Sequence, residues 1–219
     1  MSHKRSYRLL CPIARALDSV GDRWTLLILR DLHAGPARFG DLQAGLSGLA
    51  SNLLTSRLRQ LEDDGLIARG SAAKGPQFYQ LTADGEATAP LLFELARYGS
   101  RFPHPENLRP PGNLRTLAVT LKEALRRVAD AETNARVEYV VDGECFAVTI
   151  DQGTVSVTYA ADPEAPVSIA TDYSAIVAVA DGDMALPDFA AQHIRLTRGS
   201  EESAQGFLRL MGKAFASGQ

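Results

Sequence analysis

The chain has 219 residues, of which 45% are hydrophobic, and a net charge of −3. That size and composition fit one or two compact domains, and the lack of any long apolar run argues against a transmembrane helix. Cys11 and Cys145 are too far apart in the chain to build a disulfide framework, and the N-terminal MSHKRSYRLLCP lacks the apolar stretch of a secretory signal, so a cytoplasmic protein is expected. The charge is unevenly divided: residues 1–100 balance at +2 and the remainder at −5. Nonspecific DNA affinity should therefore be modest even for the first half, and the acidic second half is a poor partner for nucleic acid.

In chain order, a short helix is expected from Pro12, carrying Ile13, Ala14 and Leu17. Asp22 can cap a second helix bearing Trp24, Leu27, Ile28 and Leu32, which Gly35-Pro36 breaks. Phe39-Gly40-Asp41-Leu42 opens a third, ending near Gly45. From Gly48 the sequence GLASNLLTSRLRQLEDDGLIARGSAAKGPQFYQLT predicts a fourth helix and a hairpin. On a helical wheel Ala50, Leu54, Leu58 and Leu61 share one side, while Asn52, Thr55, Ser56 and Arg59 share the other. An apolar back with a front of short polar groups plus arginine suits a major groove, where amides and guanidinium groups match base edges. Gly65 can stop this helix, and strands at residues 66–69 and 77–81 flank a turn at Gly70–Pro76. Lys74 lies in that turn, placed for a phosphate or minor-groove contact. A short helix, a turn, a polar-fronted helix and a basic wing make a winged helix-turn-helix. A longer helix is expected over Asp84–Arg101, with Leu91, Leu92, Leu95 and Tyr98 on one side.

Residues 102–113, FPHPENLRPPGN, hold four prolines and no hydrophobic period, which predicts a semi-rigid linker between a first domain at 1–101 and a second at 114–219. A helix over Leu114–Ala131 comes first. The period then changes to two: Val137–Val141, Phe146–Ile150 and Thr154–Tyr159 form a meander turned by Asp142-Gly143 and Asp151-Gln152-Gly153. Val167–Ala170 and His193–Leu196 are further strands, with a helix at Tyr173–Val179 between them. A last helix carries Ala204, Phe207, Leu208, Met211 and Phe215. The expected fold is α+β: a winged helix, then a mainly antiparallel five-stranded sheet covered by helices.

The run CPIARALDSVGDRWTLLILRDLHAGPARFGDL, followed by NLLTSRLRQLEDDGLI, resembles the HxlR family of winged-helix transcription regulators, relatives of the MarR group. Cys11-Pro12, Gly21-Asp22-Arg23-Trp24, Arg38-Phe39 and Leu58-Arg59-Gln60-Leu61-Glu62 stand in the family's order and spacing. The resemblance implies a homodimer on operator DNA, with dimer contacts from the N-terminal helix and the helix after the wing. It also implies a response to small molecules or to oxidants and electrophiles, some members using a cysteine where Cys11 stands. The second half is similar to the sterol-carrier-protein-like fold, on element order and the strands VDGECFAVTI and DQGTVSVTY; this implies a small apolar ligand between sheet and helices.

Individual residues carry competing readings. Trp24 is expected to fill the core. Arg23 and Arg57 each suit an ion pair or a DNA contact. Arg38, ahead of the third helix, suits a phosphate contact. Cys11 is either a redox sensor or packed; Cys145, mid-strand, is expected to pack. The four histidines show no metal-ligand spacing, no CxxC or phosphate-binding glycine loop occurs, and no carboxylate pair has an accompanying base. Neither an enzyme nor a cofactor is expected. The reading is a homodimeric, sequence-specific DNA-binding regulator, the alternative being a lipid-like small-molecule carrier whose winged helix serves mainly for dimerisation.

Overall fold

The structure is a computed structural model that describes residues 6–71, 77–104 and 111–216. In the first half, α1 (Pro12–Val20), α2 (Thr25–Leu32), α3 (Phe39–Gly45) and α4 (Ser51–Asp63) precede β1 (Ile67–Ser71) and β2 (Gln77–Leu81). Two helices follow, α5 (Ala83–Glu86) and α6 (Ala89–Gly99). The β1–β2 hairpin is antiparallel, and Ala37 adds a bridge to Tyr79, completing the small sheet of a winged helix. Ile28, Leu29, Leu42, Leu54, Leu58 and Leu61 form the centre of this core, with Trp24 packed against it. The expected helix over Asp84–Arg101 is instead two helices, the second restarting with Pro90 in its first turn. Its faces also differ from expectation. Leu92 and Phe93 are buried, whereas Leu91, Leu95 and Tyr98 are exposed.

The second half starts with a 3-10 turn, Leu114–Thr116, and α7 (Leu117–Arg126). Then come β3 (Ala135–Val141), β4 (Glu144–Asp151), β5 (Thr154–Thr158) and β6 (Val167–Thr171). The remaining elements are α8 (Tyr173–Asp181), α9 (Leu186–Gln192), β7 (Arg195–Arg198) and α10 (Glu201–Ala216). The sheet order is β5-β4-β3-β6-β7. This corrects the expectation of a mainly antiparallel sheet: the sheet is mixed, because β6 pairs parallel to the central β3. The chain leaves the meander at one edge and crosses the sheet to enter beside β3, which reverses the sense of that pairing. Asp142-Gly143 has positive φ at both positions, as a two-residue hairpin turn of this hand requires. Val137, Tyr139, Val141, Phe146, Val148 and Ile150 line one face, packed with Leu121 and Leu125 of α7 and Phe207 and Met211 of α10. The side chain of Phe215 lies outside the described residues.

The two halves meet along a built seam. Arg115 is 4% exposed and reaches back to the end of α2. Its Nε donates to the carbonyl of Asp31 at 3.0 Å, and Nη2 donates to the carbonyls of Gly35 and, at 3.3 Å, Pro36. A helix C-terminus leaves carbonyls without intrahelical partners, and a cation complements their dipoles. The Tyr159 N–H donates to Ala34 O at 2.8 Å, and the Tyr159 ring lies under the Arg115 guanidinium. Glu144 Oε2 accepts from the Tyr159 hydroxyl at 2.6 Å and from the Leu114 N–H at 2.7 Å. Gly112 is needed for the close approach: a Cβ there would lie 1.9 Å from Ala44 O. α7 serves both cores, with Val119 in the first and Leu121 in the second.

Beside the seam, Glu86 Oε2 lies 2.9 Å from Lys122 Nζ and 3.6 Å from His33 Nδ1. His33 and Lys122 hold its carboxyl down at about 2 against the opposing effect of burial.

Two outcomes are expected. Arg115→Met removes the charged donor to the carbonyls at the end of α2 and should cost about 2–4 kcal/mol in urea denaturation; an unchanged midpoint would contradict the seam's role. Glu86 has its pKa depressed on folding, so its stabilisation is complete above pH 4.5 and lost as pH falls toward 2. Glu86→Gln should flatten the decline of the urea midpoint across that window, and an equally steep decline would remove Glu86 as its source.

Candidate nucleic-acid interface

α4 spans 13 residues, with Leu54, Leu58 and Leu61 buried against the first core. Asn52, Ser56 and Arg59 are exposed and Thr55 is partly so, all four on the outward side. Ala50 departs from its expected place on the apolar side: it is the extended residue ahead of the helix and is exposed. The Thr55 hydroxyl donates to Ser51 O at 2.9 Å, which leaves its lone pairs facing out. Asn52 Oδ1 accepts from the Leu53 N–H, so its amide N–H groups remain available.

The arginines around this face are divided by their partners. Arg57 pairs with Asp22 at 2.8 Å, which ties α4 to the start of α2 and settles Arg57 as an intraprotein cation. Asp22 Oδ1 also accepts from the Trp24 N–H. Arg69 on β1 pairs with Glu62 at 2.8 Å and stacks on the Tyr79 ring. That pairing fixes the wing to the C-terminal end of α4 and offsets part of the acidic run Glu62-Asp63-Asp64. Arg23 stacks on Trp24, with its guanidinium carbon 5.5 Å from the ring centre. Arg59 has no ion pair among the described residues and stands exposed, as a base-reading side chain must. Lys74, with most of the expected turn around it, lies outside the described residues.

Arg38 stands just ahead of α3, not on α4. It caps α3, its N–H donating to Asp41 Oδ2 at 2.8 Å. It also lines a polar cleft of about 470 Å³ with Asp41, Asn113, Arg115 and Tyr159, at the junction of the two halves. Beneath that junction Asp31 is buried; Arg30 takes its Oδ1 at 2.8 Å, and Oδ2 has no partner among the described residues. Burial pushes the Asp31 carboxyl above its ordinary value.

Cys11 is half-buried and occupies the N-cap of α1, followed by Pro12 in the first turn. The surface around it is unusually apolar. Leu9, Leu10, Ile13 and Leu17 are exposed, Leu10 fully, although the spacing predicts Ile13 and Leu17 on the apolar side of α1. A second exposed stripe runs along α6 through Leu91, Leu95 and Tyr98 to Phe102, whose ring meets Tyr98 edge-on at 5.1 Å. The helical spacing identifies these helices but not that their apolar residues face outward; only the family resemblance implies contacts with a second copy there. Periodicity reports that a stripe exists, without reporting what covers it.

No group of three or more His, Cys, Asp or Glu side chains placed to hold a metal occurs among the described residues. Nor is any helix there long and apolar enough to cross a membrane.

A model described as HxlR-like helix-turn-helix matches residues 19–107. An HTH-type transcriptional regulator of Synechocystis sp. is 39% identical over 93 residues, covering 42% of this chain and 69% of that protein. The chain belongs to the HxlR-like helix-turn-helix family. The HTH-type transcriptional regulator YvaP of Bacillus subtilis is 33% identical over 102 residues, 45% of this chain and 94% of its own. The solved structure of the redox regulator HypR in its oxidized form is 26% identical, covers 43% of this chain and 100% of its own, and has a TM-score of 0.41. Residues 108–219 lie outside the span matched by the family model.

The two sides of α4 should separate in stability measurements. Leu58→Ala should cost about 2–5 kcal/mol by creating a core cavity. Ser56→Ala and Arg59→Ala should stay within about 0.5 kcal/mol of the parent. Thermal denaturation followed by circular dichroism checks this, and a large loss at Arg59 would mean that it supports the fold.

Proposed function

We propose that the protein is a homodimeric, sequence-specific DNA-binding transcriptional regulator that responds to a small apolar ligand or to a redox or electrophile signal. The observation that carries this reading is the exposed polar front of α4, whose one arginine has no protein partner among the described residues and stands beside others that do. In this reading Asn52, Thr55, Ser56 and Arg59 enter the major groove, while Arg38 and Lys74 contact the backbone from α3 and the wing.

Dimerisation is supported by the two apolar stripes on α1 and α6. Contiguous exposed apolar surface of this kind marks an association surface, and a second copy burying both stripes would set two α4 helices against one duplex. Cys11 lies beside that surface, so a thiol adduct or an intersubunit disulfide there would alter the dimer directly. The second half supplies the ligand-responsive part. Its sheet, covered by helices on one face, agrees with a sterol-carrier-protein-like architecture, and the seam offers a rigid connection to the helix-turn-helix.

The test uses duplexes selected from random DNA by the full-length protein, with affinity read by fluorescence anisotropy. Arg59→Ala should weaken the selected site by about 1–3 kcal/mol and random DNA much less. Equal affinity of the variant and parent for the selected site would remove Arg59 from the readout. Failure of the parent to enrich any sequence would contradict specific binding altogether.

A further inference from the structure

The second half holds a polar group that its own fold leaves unused. Tyr139 lies in the middle of the sheet, opposite Phe146 on β4 and Ile169 on β6. Only 3% of it reaches solvent, and its hydroxyl has no hydrogen-bond partner among the described residues. A buried hydroxyl gives up its bonds to water, and without a replacement it is a net loss that phenylalanine would avoid.

The same residue lines a cavity of about 200 Å³ between β3, α9 and α10. Phe189, Phe207 and Met211 are the buried part of its lining, and Pro187 and Ala190 form an exposed rim. No charged side chain lines it among the described residues. Gly212 borders it from α10, and a Cβ added there would lie 3.6 Å from Leu186 Cδ2. The missing side chain thus leaves space between α10 and α9.

We propose that this cavity binds a small neutral molecule, an apolar ring carrying one hydrogen-bond acceptor, which receives the hydrogen bond of the Tyr139 hydroxyl. The proposal rests on reading the second half as the ligand-responsive part, and it narrows the ligand by size, charge and polarity. A cavity of ~150 Å³ is enough to hold benzene, whereas sites for drug-sized ligands run to ~300–1,000 Å³. This one therefore takes a single ring with a short substituent and is too small to enclose a sterol. An ionised carboxylate would lose its hydration with no cation to meet it, which excludes fatty-acid anions. Burial raises the Tyr139 phenol above its ordinary value, so the hydroxyl keeps its proton and donates. α10 also packs on α7, the helix that carries Val119 into the first core, so an occupant touching Phe207 and Met211 bears on the seam.

The experiment is calorimetric titration of the full-length protein, without DNA, against acetophenone, ethylbenzene and benzoate. Acetophenone and ethylbenzene match in shape, and only the first has an acceptor. Acetophenone should bind about three- to tenfold more tightly than ethylbenzene, the range expected for one added hydrogen bond. Benzoate should not bind detectably. Tyr139→Phe should erase the preference by weakening acetophenone alone, and Gly212→Val should remove binding of both neutral probes. Without ligand, Tyr139→Phe should melt no lower than the parent, because the hydroxyl has no partner to lose. Equal binding of the two neutral probes, a preference that survives Tyr139→Phe, binding of benzoate, or no binding of either neutral probe would each overturn the proposal. So would a destabilised Tyr139→Phe protein, which would give the hydroxyl a structural role. Failure of the DNA-binding reading would appear only in the ligand-free DNA assay, so the two failures are distinguishable.

Discussion

The buried guanidinium of Arg115 is the contact on which the arrangement of the whole molecule depends. It belongs to the second half by sequence and to the first by bonding, since its donors go to carbonyls at and just beyond the end of α2. The Asp31 carbonyl also accepts from the Ala34 N–H at 3.3 Å, so the cation adds to the capping at the end of α2, and its removal would deprive the half-buried Gly35 carbonyl of a charged donor. Around it the chain is fitted closely. Gly112 passes against Ala44 where no side chain could, Tyr159 stacks under the guanidinium, and Glu144 holds both Tyr159 and the start of the 3-10 turn. A rigid junction of this kind makes any rearrangement in the second half a rearrangement of α2 as well. α2 shares the first core with α3 and α4 through Ile28, Leu29, Leu42, Leu54 and Leu58, so a shift of α2 would bear on the packing behind the polar helix face.

The electrostatics of the first half follow the same economy. Its net positive charge is small, and most arginines near α4 are already committed: Arg57 to Asp22, Arg69 to Glu62, Arg23 to the face of Trp24. What remains for a nucleic acid is a short list of uncommitted groups. If this face binds DNA as proposed, it would gain little from nonspecific attraction to phosphate and depend on matching particular bases. Two apolar stripes on α1 and α6 lie elsewhere on the same domain, so association with a second copy and contact with DNA would use separate surfaces.

The sequence made the first half legible because its elements are punctuated by Gly and Pro and its α4 has both a clear apolar back and a clear polar front. The helical wheel separates the two sides of α4 as the structure has them, except that Ala50, expected on the apolar side, precedes the helix as its cap. The apolar residues of α1 and α6 were visible as stripes, but whether a stripe faces a core or a partner is decided by tertiary packing. The break between α5 and α6 falls just ahead of Pro90, whose ring suits the first turn of a helix and not its interior. In the second half the alternating pattern placed the strands well. The parallel β3–β6 pairing was not legible, because alternation specifies which face a residue takes and not which strand lies next to it. Nothing in the spacing around Arg115 marks it out; only the fold shows that it reaches 84 residues back along the chain. Tyr139 was in principle visible, since it shares a face with Val137 and Val141, and a tyrosine on a core face requires a partner for its hydroxyl.

Native-state hydrogen exchange of the full-length protein tests most directly whether the two halves form one mechanical unit. If the Arg115 seam joins them, the slowest amides of α2 and α7 should exchange with the same opening free energy and respond equally to low concentrations of urea, as one cooperative unit. If α7 keeps its protection while α2 opens separately, with a different free energy and urea dependence, the halves are independent domains on a tether and the seam does not couple them.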